Sequence, residues 1–221
     1  MLVLIKKEKI PEILVVTALY SGHKILRETK ISLNRNDIKF DWVSFESSGN
    51  TAFNYYQGIK NYEKKFHGLP KYVILIDRDT IPRRNMLDKI HAVLNNTDDS
   101  IAYGYCDFEF TGAVNRKFNY DFNPQLLLRT NYISSNSMIK TVALEMIGGI
   151  IYDDKYKRLL DWCLWLKFLS YGYYGIRVKD TSFVNITTKD SVSAGDNMQY
   201  QTVVNAVRED FIKPLLSGLI Y

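Results

Sequence analysis

The sequence predicts an α/β fold in which a central, mostly parallel sheet, mixed in its later strands, is flanked by helices. Short apolar runs rich in β-branched residues alternate with segments of helical period through residues 1–98. Each run is closed by Gly, Asn, Asp or Pro, giving strand-helix three times over, the pattern of a parallel α/β half. The third run, Tyr72-Val-Ile-Leu-Ile76, stops at Asp77-Arg78-Asp79. Two carboxylates spaced i, i+2 thus sit at the C-terminal end of a buried strand, where open α/β sheets place their ligands.

Taken in order, Ile13–Thr17 reads as the first strand, broken by Ser21-Gly22. Ile25, Leu26, Thr29 and Leu33 then recur at helical spacing, and residues 34–37 (Asn-Arg-Asn-Asp) end that helix. Phe40–Phe45 reads as the second strand, followed by the loop Glu46-Ser-Ser-Gly-Asn50, whose last residue is a helix N-cap. Phe53, Tyr56, Ile59 and Phe66 supply an apolar face for the second helix, which Gly68 and Pro70 stop. After the third strand, Pro82 predicts a helix start, with Met86, Leu87, Ile90 and Leu94 as its buried face. Ile101–Phe110 alternates as a strand, and residues 112–135, rich in Asn, Tyr and Arg, read as a loop region. Ser137–Lys140 predicts a short strand, Thr141–Ile147 a helix closed by Gly148-Gly149, and Leu160–Tyr171 a strong helix ended by Gly172. Ile176–Val178 and Phe183–Ile186 predict late strands, and Gln201–Ser217 a C-terminal helix interrupted by Pro214.

The 221 residues, 46% hydrophobic and 24% charged, suit one domain with a full core. The net charge of +5 is spread over short pairs such as Lys64-Lys65 and Arg83-Arg84, so it predicts solvated faces and no nucleic-acid groove. Met1–Ile5 is too short for a signal-peptide core, and no apolar run reaches the ~20 residues of a membrane span. Two cysteines, Cys106 and Cys163, each in an apolar pattern, predict buried free thiols and a cytoplasmic, reducing compartment. His23, His67 and His91 have no metal-ligand spacing. A P-loop and a Gly-x-Gly-x-x-Gly motif are both absent, which excludes P-loop ATPases and dinucleotide enzymes.

Hard divalent cations take oxygen ligands, and Mg²⁺ or Mn²⁺ is commonly shared with a phosphate. Asp77 and Asp79 therefore point to chemistry on a metal-bound phosphate compound, against the alternative of a solvated Asp-Arg-Asp turn. Asp161 falls in the first turn of its helix, where the macrodipole favours an anion. It can serve as a base or simply as a helix-start residue. Trp162, Trp165 and Phe168, at near-helical spacing, belong to the core or, for Trp162, to a ligand wall.

Several segments taken together resemble the family 2 glycosyltransferases, which have the GT-A fold. The first is the Asp77-Arg78-Asp79 strand end. The second is Asn136-Ser-Met-Ile-Lys-Thr-Val-Ala-Leu-Glu145-Met-Ile-Gly148-Gly149. The third is Leu160-Asp161-Trp162-Cys163-Leu164-Trp165-Leu166, similar to the family's Glu-Asp-Trp-Asp-Leu-Trp-Leu, and the last is Ser191-Val-Ser193. The resemblance runs from Glu12 to Ala194. It implies a single GT-A-like domain with a nucleotide-binding half (1–98), an acceptor and catalytic half (99–195) and a C-terminal helical segment (196–221). It implies transfer of a sugar from a nucleotide-diphospho-sugar, a UDP-sugar being commonest in the family, to a hydroxyl of a glycan or glycoconjugate, with inversion. Asp77 and Asp79 match the Mn²⁺ or Mg²⁺ site, Asp79 foremost. Arg78 matches a position near ribose or phosphate, Glu46 the acid that reads the base, and Tyr20 and Thr17 the nucleoside-contacting loop. Asp161 matches the general base. The chain departs from the family at Leu160 and Cys163, where acids are usual. Thr187-Thr188-Lys189-Asp190 holds no His, which leaves Lys189 for the diphosphate. Two rivals stay open. A sugar-phosphate nucleotidyltransferase would release pyrophosphate from a nucleoside triphosphate, and a non-catalytic nucleotide-sugar or glycan-binding module would bind without turnover. Peripheral membrane contact by Phe211–Tyr221 also remains open.

Overall fold

The structure, a computed structural model, describes residues 10–20, 22–47, 50–156, 158–188 and 197–218. The first half alternates as the sequence predicts: β1 (Ile13–Tyr20), α1 (Arg27–Leu33), β2 (Phe40–Ser47), α2 (Thr51–Phe66) and β3 (Tyr72–Leu75). β4 (Thr80–Pro82), α3 (Met86–Leu94), β5 (Ile101–Gly112), β6 (Arg116–Phe118) and α4 (Pro124–Leu127) follow. The chain then forms β7 (Met138–Lys140), α5 (Thr141–Met146), a 3₁₀ turn at Asp154–Tyr156, α6 (Leu160–Ser170) and β8 (Tyr174–Thr187). It continues through α7 (Asn197–Val207), a π turn at Arg208–Ile212 and α8 (Lys213–Leu216).

Among the described residues one eight-stranded mixed sheet forms in the order β2-β1-β3-β7-β5-β8-β4, with β6 paired to β5. β1 pairs in parallel with both β2 and β3, so their C-terminal ends open on the same side. β7 runs antiparallel to β3 and carries the chain back from that side. β1 and β3 are buried along almost their whole length, as strands covered on both faces must be.

Four expectations are corrected, while the expected interruption of the C-terminal helix near Pro214 is found. Pro82 does not start a helix. It ends β4, a strand at the edge of the sheet that pairs Pro82 with Phe183, and an edge position tolerates a residue without an N–H donor. The buried face of α2 is Ala52, Tyr55, Gly58, Ile59 and Tyr62, whereas Phe66 is 40% exposed. The stripe is set by Gly58, where α2 comes closest to the sheet: a Cβ there would meet Val16 Cγ1 at 2.7 Å. Gly58→Val is accordingly expected to destabilise the fold by roughly 1–3 kcal/mol, read from urea unfolding midpoints. The two late strands are one, β8, with a register irregularity opposite Cys106/Asp107. Residues 112–135 contain β6 and α4. The C-terminal helix widens into its π turn just before Pro214, whose ring cannot sit over a regular α-turn.

Asn50 caps α2 as expected, its Oδ1 accepting the Phe53 N–H at 2.7 Å. Cys106 and Cys163 are buried free thiols. Trp162 and Trp165 both prove to be core. Their indole N–H groups donate to Leu127 O at 2.7 Å and Ile133 O at 2.9 Å, fastening the segment between these residues onto α6. Tyr103 stacks on Trp165 with ring centroids 4.3 Å apart, joining β5 to α6.

Candidate active site

The loop after β3 gathers the acids. β3 is apolar and fully covered, so its first polar residue, Asp77, emerges at the sheet's C-terminal edge, half-buried. Both carboxylate oxygens of Asp77 are already engaged. Tyr55, 3% exposed on the inner face of α2, donates its hydroxyl to Oδ1 at 2.6 Å. Asn136, entering β7, donates from Nδ2 to Oδ2 at 2.9 Å, and its own Oδ1 accepts the Asp77 N–H at 2.8 Å. The Thr80 hydroxyl donates to Asn136 Oδ1 at 3.0 Å and also contacts Asn185 Oδ1 on β8. Burial, the adjoining Asp77 and its hydrogen bond push the Tyr55 phenol far above its ordinary pKa, so it remains a donor.

Asp79 is the less restrained acid. Burial, with the neighbouring Asp77 charge second, raises its pKa to about 6, and Arg78 offsets this in part. Its carbonyl accepts the Ile186 N–H at 3.1 Å, tying the loop to β8. The Arg78 carbonyl accepts from Leu26 N–H at 2.9 Å and Thr29 Oγ1 at 3.1 Å, which docks the Asp-Arg-Asp loop on α1.

Asp161 lies across the site, in the first turn of α6. Its Oδ1 accepts the Trp162 N–H at 2.8 Å and the Asn131 amide at 3.0 Å. The carboxylate thus accepts a backbone N–H of the helix's own first turn without serving as its N-cap. Burial raises its pKa to about 6, with Asp77 adding to the effect while the Asn131 and Trp162 donors oppose it. The Tyr55 phenol touches Asp77 alone of the three carboxylates, while the charges of Asp79 and Asp161 add to the rise in its pKa.

The residues expected near a nucleoside lie in the second half of β1 and at the end of β2. Glu46 Oε1 accepts the Gly22 N–H at 2.8 Å, closing the loop after β1 onto β2. Tyr20 is half-buried and its hydroxyl accepts from Thr51 Oγ1 at 3.3 Å, linking the same loop to the start of α2. Thr17 is wholly buried and its hydroxyl accepts from the Trp42 indole at 3.0 Å, so it supports the sheet beneath this loop. Ser21, Lys189 and Ser191-Val-Ser193 lie outside the described residues.

Of the two acids expected to hold a divalent cation, Asp79 is the freer, since both Asp77 oxygens accept hydrogen bonds. Among the described residues no group of three or more His, Cys, Asp or Glu could hold one by itself. Two carboxylates with one guanidinium leave negative charge uncompensated. A hard cation completed by phosphate oxygens fits that donor set. Sequence reasoning missed Tyr55, Asn136, Thr80, Asn185 and Asn131. Asn136 stood inside a quoted motif without a role, and the others reach the site only through packing.

This arrangement of sheet edge and acidic loop is that of a GT-A-like α/β fold. The particular structures it resembles include S. aureus TarS, with TM-score 0.60, 12% identity, and coverage of 90% of this chain and 39% of that one. TarS residues 1–349 in complex with UDP-GlcNAc match with TM-score 0.62 and 13% identity over 86% of this chain and 64% of the other. The mannosyltransferase PcManGT from Pyrobaculum calidifontis, in complex with GDP-Man and Mn²⁺, matches with TM-score 0.59 and 15% identity over 97% and 69%. The chain thus spans well under half of one TarS structure and 64–72% of structures of TarS residues 1–349. No family model and no curated protein matches the sequence.

Proposed function

We propose that this chain is a metal-dependent glycosyltransferase that moves a sugar from a nucleotide-diphospho-sugar to a hydroxyl of a glycan or glycoconjugate, with inversion. The observation that carries this reading is the acid pair Asp77 and Asp79 just beyond the C-terminal end of a central strand of a GT-A-like sheet, with Asp77 held by Tyr55 and Asn136. Neighbours captured with UDP-GlcNAc and with GDP-Man and Mn²⁺ support a nucleotide-sugar donor, and a UDP-sugar is the first choice. Asp79, with Asp77 behind it, would hold Mn²⁺ or Mg²⁺, and the ion would neutralise the departing diphosphate. Arg78 borders the phosphate or ribose, while Glu46, Tyr20 and the loop above Thr17 cradle the nucleoside. Asp161 removes the proton of the attacking hydroxyl. Among the described residues no helix is long and apolar enough to cross a membrane, and the reading places the enzyme in the cytoplasm.

The test is nucleotide release from UDP-, GDP-, CMP- and TDP-sugars, with Mn²⁺ or EDTA. Metal-dependent release from one donor supports the transferase. Pyrophosphate release from a nucleoside triphosphate would replace it with the nucleotidyltransferase reading, and donor binding without any turnover with the binding-module reading. The pH profile is a second check. The base must be ionised, and burial holds Asp161 near a pKa of about 6, so the rate is expected to fall about tenfold per unit below that value. A rate flat from pH 7 to pH 5 would remove Asp161 from the mechanism.

A further inference from the structure

We propose that Asn131 is the positioning residue of the Asp161 base: its amide fixes Oδ1 and so turns Oδ2 toward the hydroxyl that surrenders its proton. The inference rests on the reading of Asp161 as that base. Asn131 Nδ2 donates to Asp161 Oδ1 at 3.0 Å, and the Trp162 N–H donates to the same oxygen at 2.8 Å. Both donors fall on one oxygen, which leaves the lone pairs of Oδ2 for a proton. The backbone that carries Asn131 is held from both sides, by the Trp162 indole on Leu127 O and the Trp165 indole on Ile133 O. The Tyr132 hydroxyl adds a third tie by donating to Asn123 O at 3.1 Å. The asparagine is therefore delivered to the carboxylate by a rigid segment.

The second observation is a loss. Asn131 Oδ1 is buried and, among the described residues, accepts no hydrogen bond. Turning the amide over would set this oxygen against the carboxylate, so the orientation is fixed by charge. A buried acceptor without a donor destabilises a fold, and an aliphatic side chain of similar shape would avoid that penalty. The amide here serves Asp161 at the expense of the fold. The other groups that act on Asp161 are Asp77 and Tyr55 across the site and Cys163 on α6.

The experiment compares wild type, Asn131→Leu and Asp161→Asn, with Asn131→Ala as the substitute where Leu does not fold. The Asp161 carboxyl carbon, assigned by its absence in Asp161→Asn, is titrated by ¹³C NMR. Thermal midpoints are recorded alongside, together with the pH profile of nucleotide release from UDP-GlcNAc and GDP-Man with Mn²⁺. Loss of the amide donor is expected to raise the carboxyl midpoint by about one pH unit, because a hydrogen bond to the charged form is removed. The acid limb of nucleotide release moves by the same amount, and any loss of thermal midpoint is larger at pH 7.5 than at pH 4.5, because the lost hydrogen bond served the charged form. An unmoved carboxyl midpoint, or a thermal midpoint lowered equally at pH 7.5 and pH 4.5, overturns the positioning role. A carboxyl midpoint that moves while the acid limb stays in place would show that the contact exists but Asp161 is not the base, which ends both proposals.

Discussion

Asp161→Asn is expected to lower sugar transfer by about 10²–10⁴-fold, the usual worth of a positioned base, while leaving donor binding intact and raising the thermal midpoint. The rate loss follows because an amide cannot take a proton from the acceptor hydroxyl. The gain in stability follows from linkage. Burial raises the folded-state pKa of Asp161 to about 6, against about 3.9 in an unfolded chain. Between those values the folded protein binds more protons than the unfolded one, so stability falls as pH rises through the window. Above about pH 6 the destabilisation is fully present, and below about pH 4 it is absent. The shift corresponds to at most ~3 kcal/mol, and relaxation and partial solvent access reduce the expected gain at pH 7.5 to ~1–2 kcal/mol. The Asn replacement keeps an oxygen for the Trp162 and Asn131 donors, so no buried donor is orphaned. Thermal melts at pH 7.5 and pH 4.5 provide the check. A variant that is stabilised at both values, or that retains wild-type transfer, contradicts the assignment.

The second large effect belongs to Asp79. Asp79→Ala is expected to reduce metal-dependent nucleotide release by about 10³-fold or more, since a bound ion supplies several kcal/mol of charge stabilisation to the leaving diphosphate. EDTA should bring wild type down to the level of the variant and leave the variant unchanged. Mn²⁺ affinity, read by EPR of the free ion, should weaken in parallel. Asp77 separates from Asp79 on stability. Asp77→Ala orphans the Tyr55 hydroxyl and the Asn136 amide, which both donate to it, and should lower stability by ~2–4 kcal/mol. Asp79→Ala removes a carboxylate already raised to about 6 by burial and like charge, so its thermal midpoint should equal or exceed wild type. Two acids two positions apart thus differ in kind. Retention of metal-dependent release in Asp79→Ala would refute the metal role.

The alternation of strands and helices, the Asn50 cap, the buried face of α3 and the positions of Asp77, Asp79 and Asp161 were all legible in the chain. Each depends on local rules: side-chain period, turn chemistry, and the appearance of a polar residue where an apolar strand ends. The face of α2 was not legible. The large aromatics Phe53, Tyr56 and Phe66 marked one stripe, yet the helix turned Gly58 inward because the sheet comes too close there for a side chain, and Tyr55 and Tyr62 share that face. The role of Pro82 depended equally on a partner, β8, about a hundred residues away, whose edge turned an expected helix start into a strand end.

By itself, then, the sequence determined the α/β frame and the three carboxylates that frame would bring to its open edge. Tertiary structure alone decided how those carboxylates are held. The Tyr55 hydroxyl and Asn136 amide close on Asp77, and the Asn131 amide closes on Asp161, across separations of 22, 59 and 30 residues. No periodicity spans such distances. Hydrogen bonds of this kind form only after the core has set the backbone, because their geometry tolerates errors of a few tenths of an ångström while sequence spacing carries no distance at all.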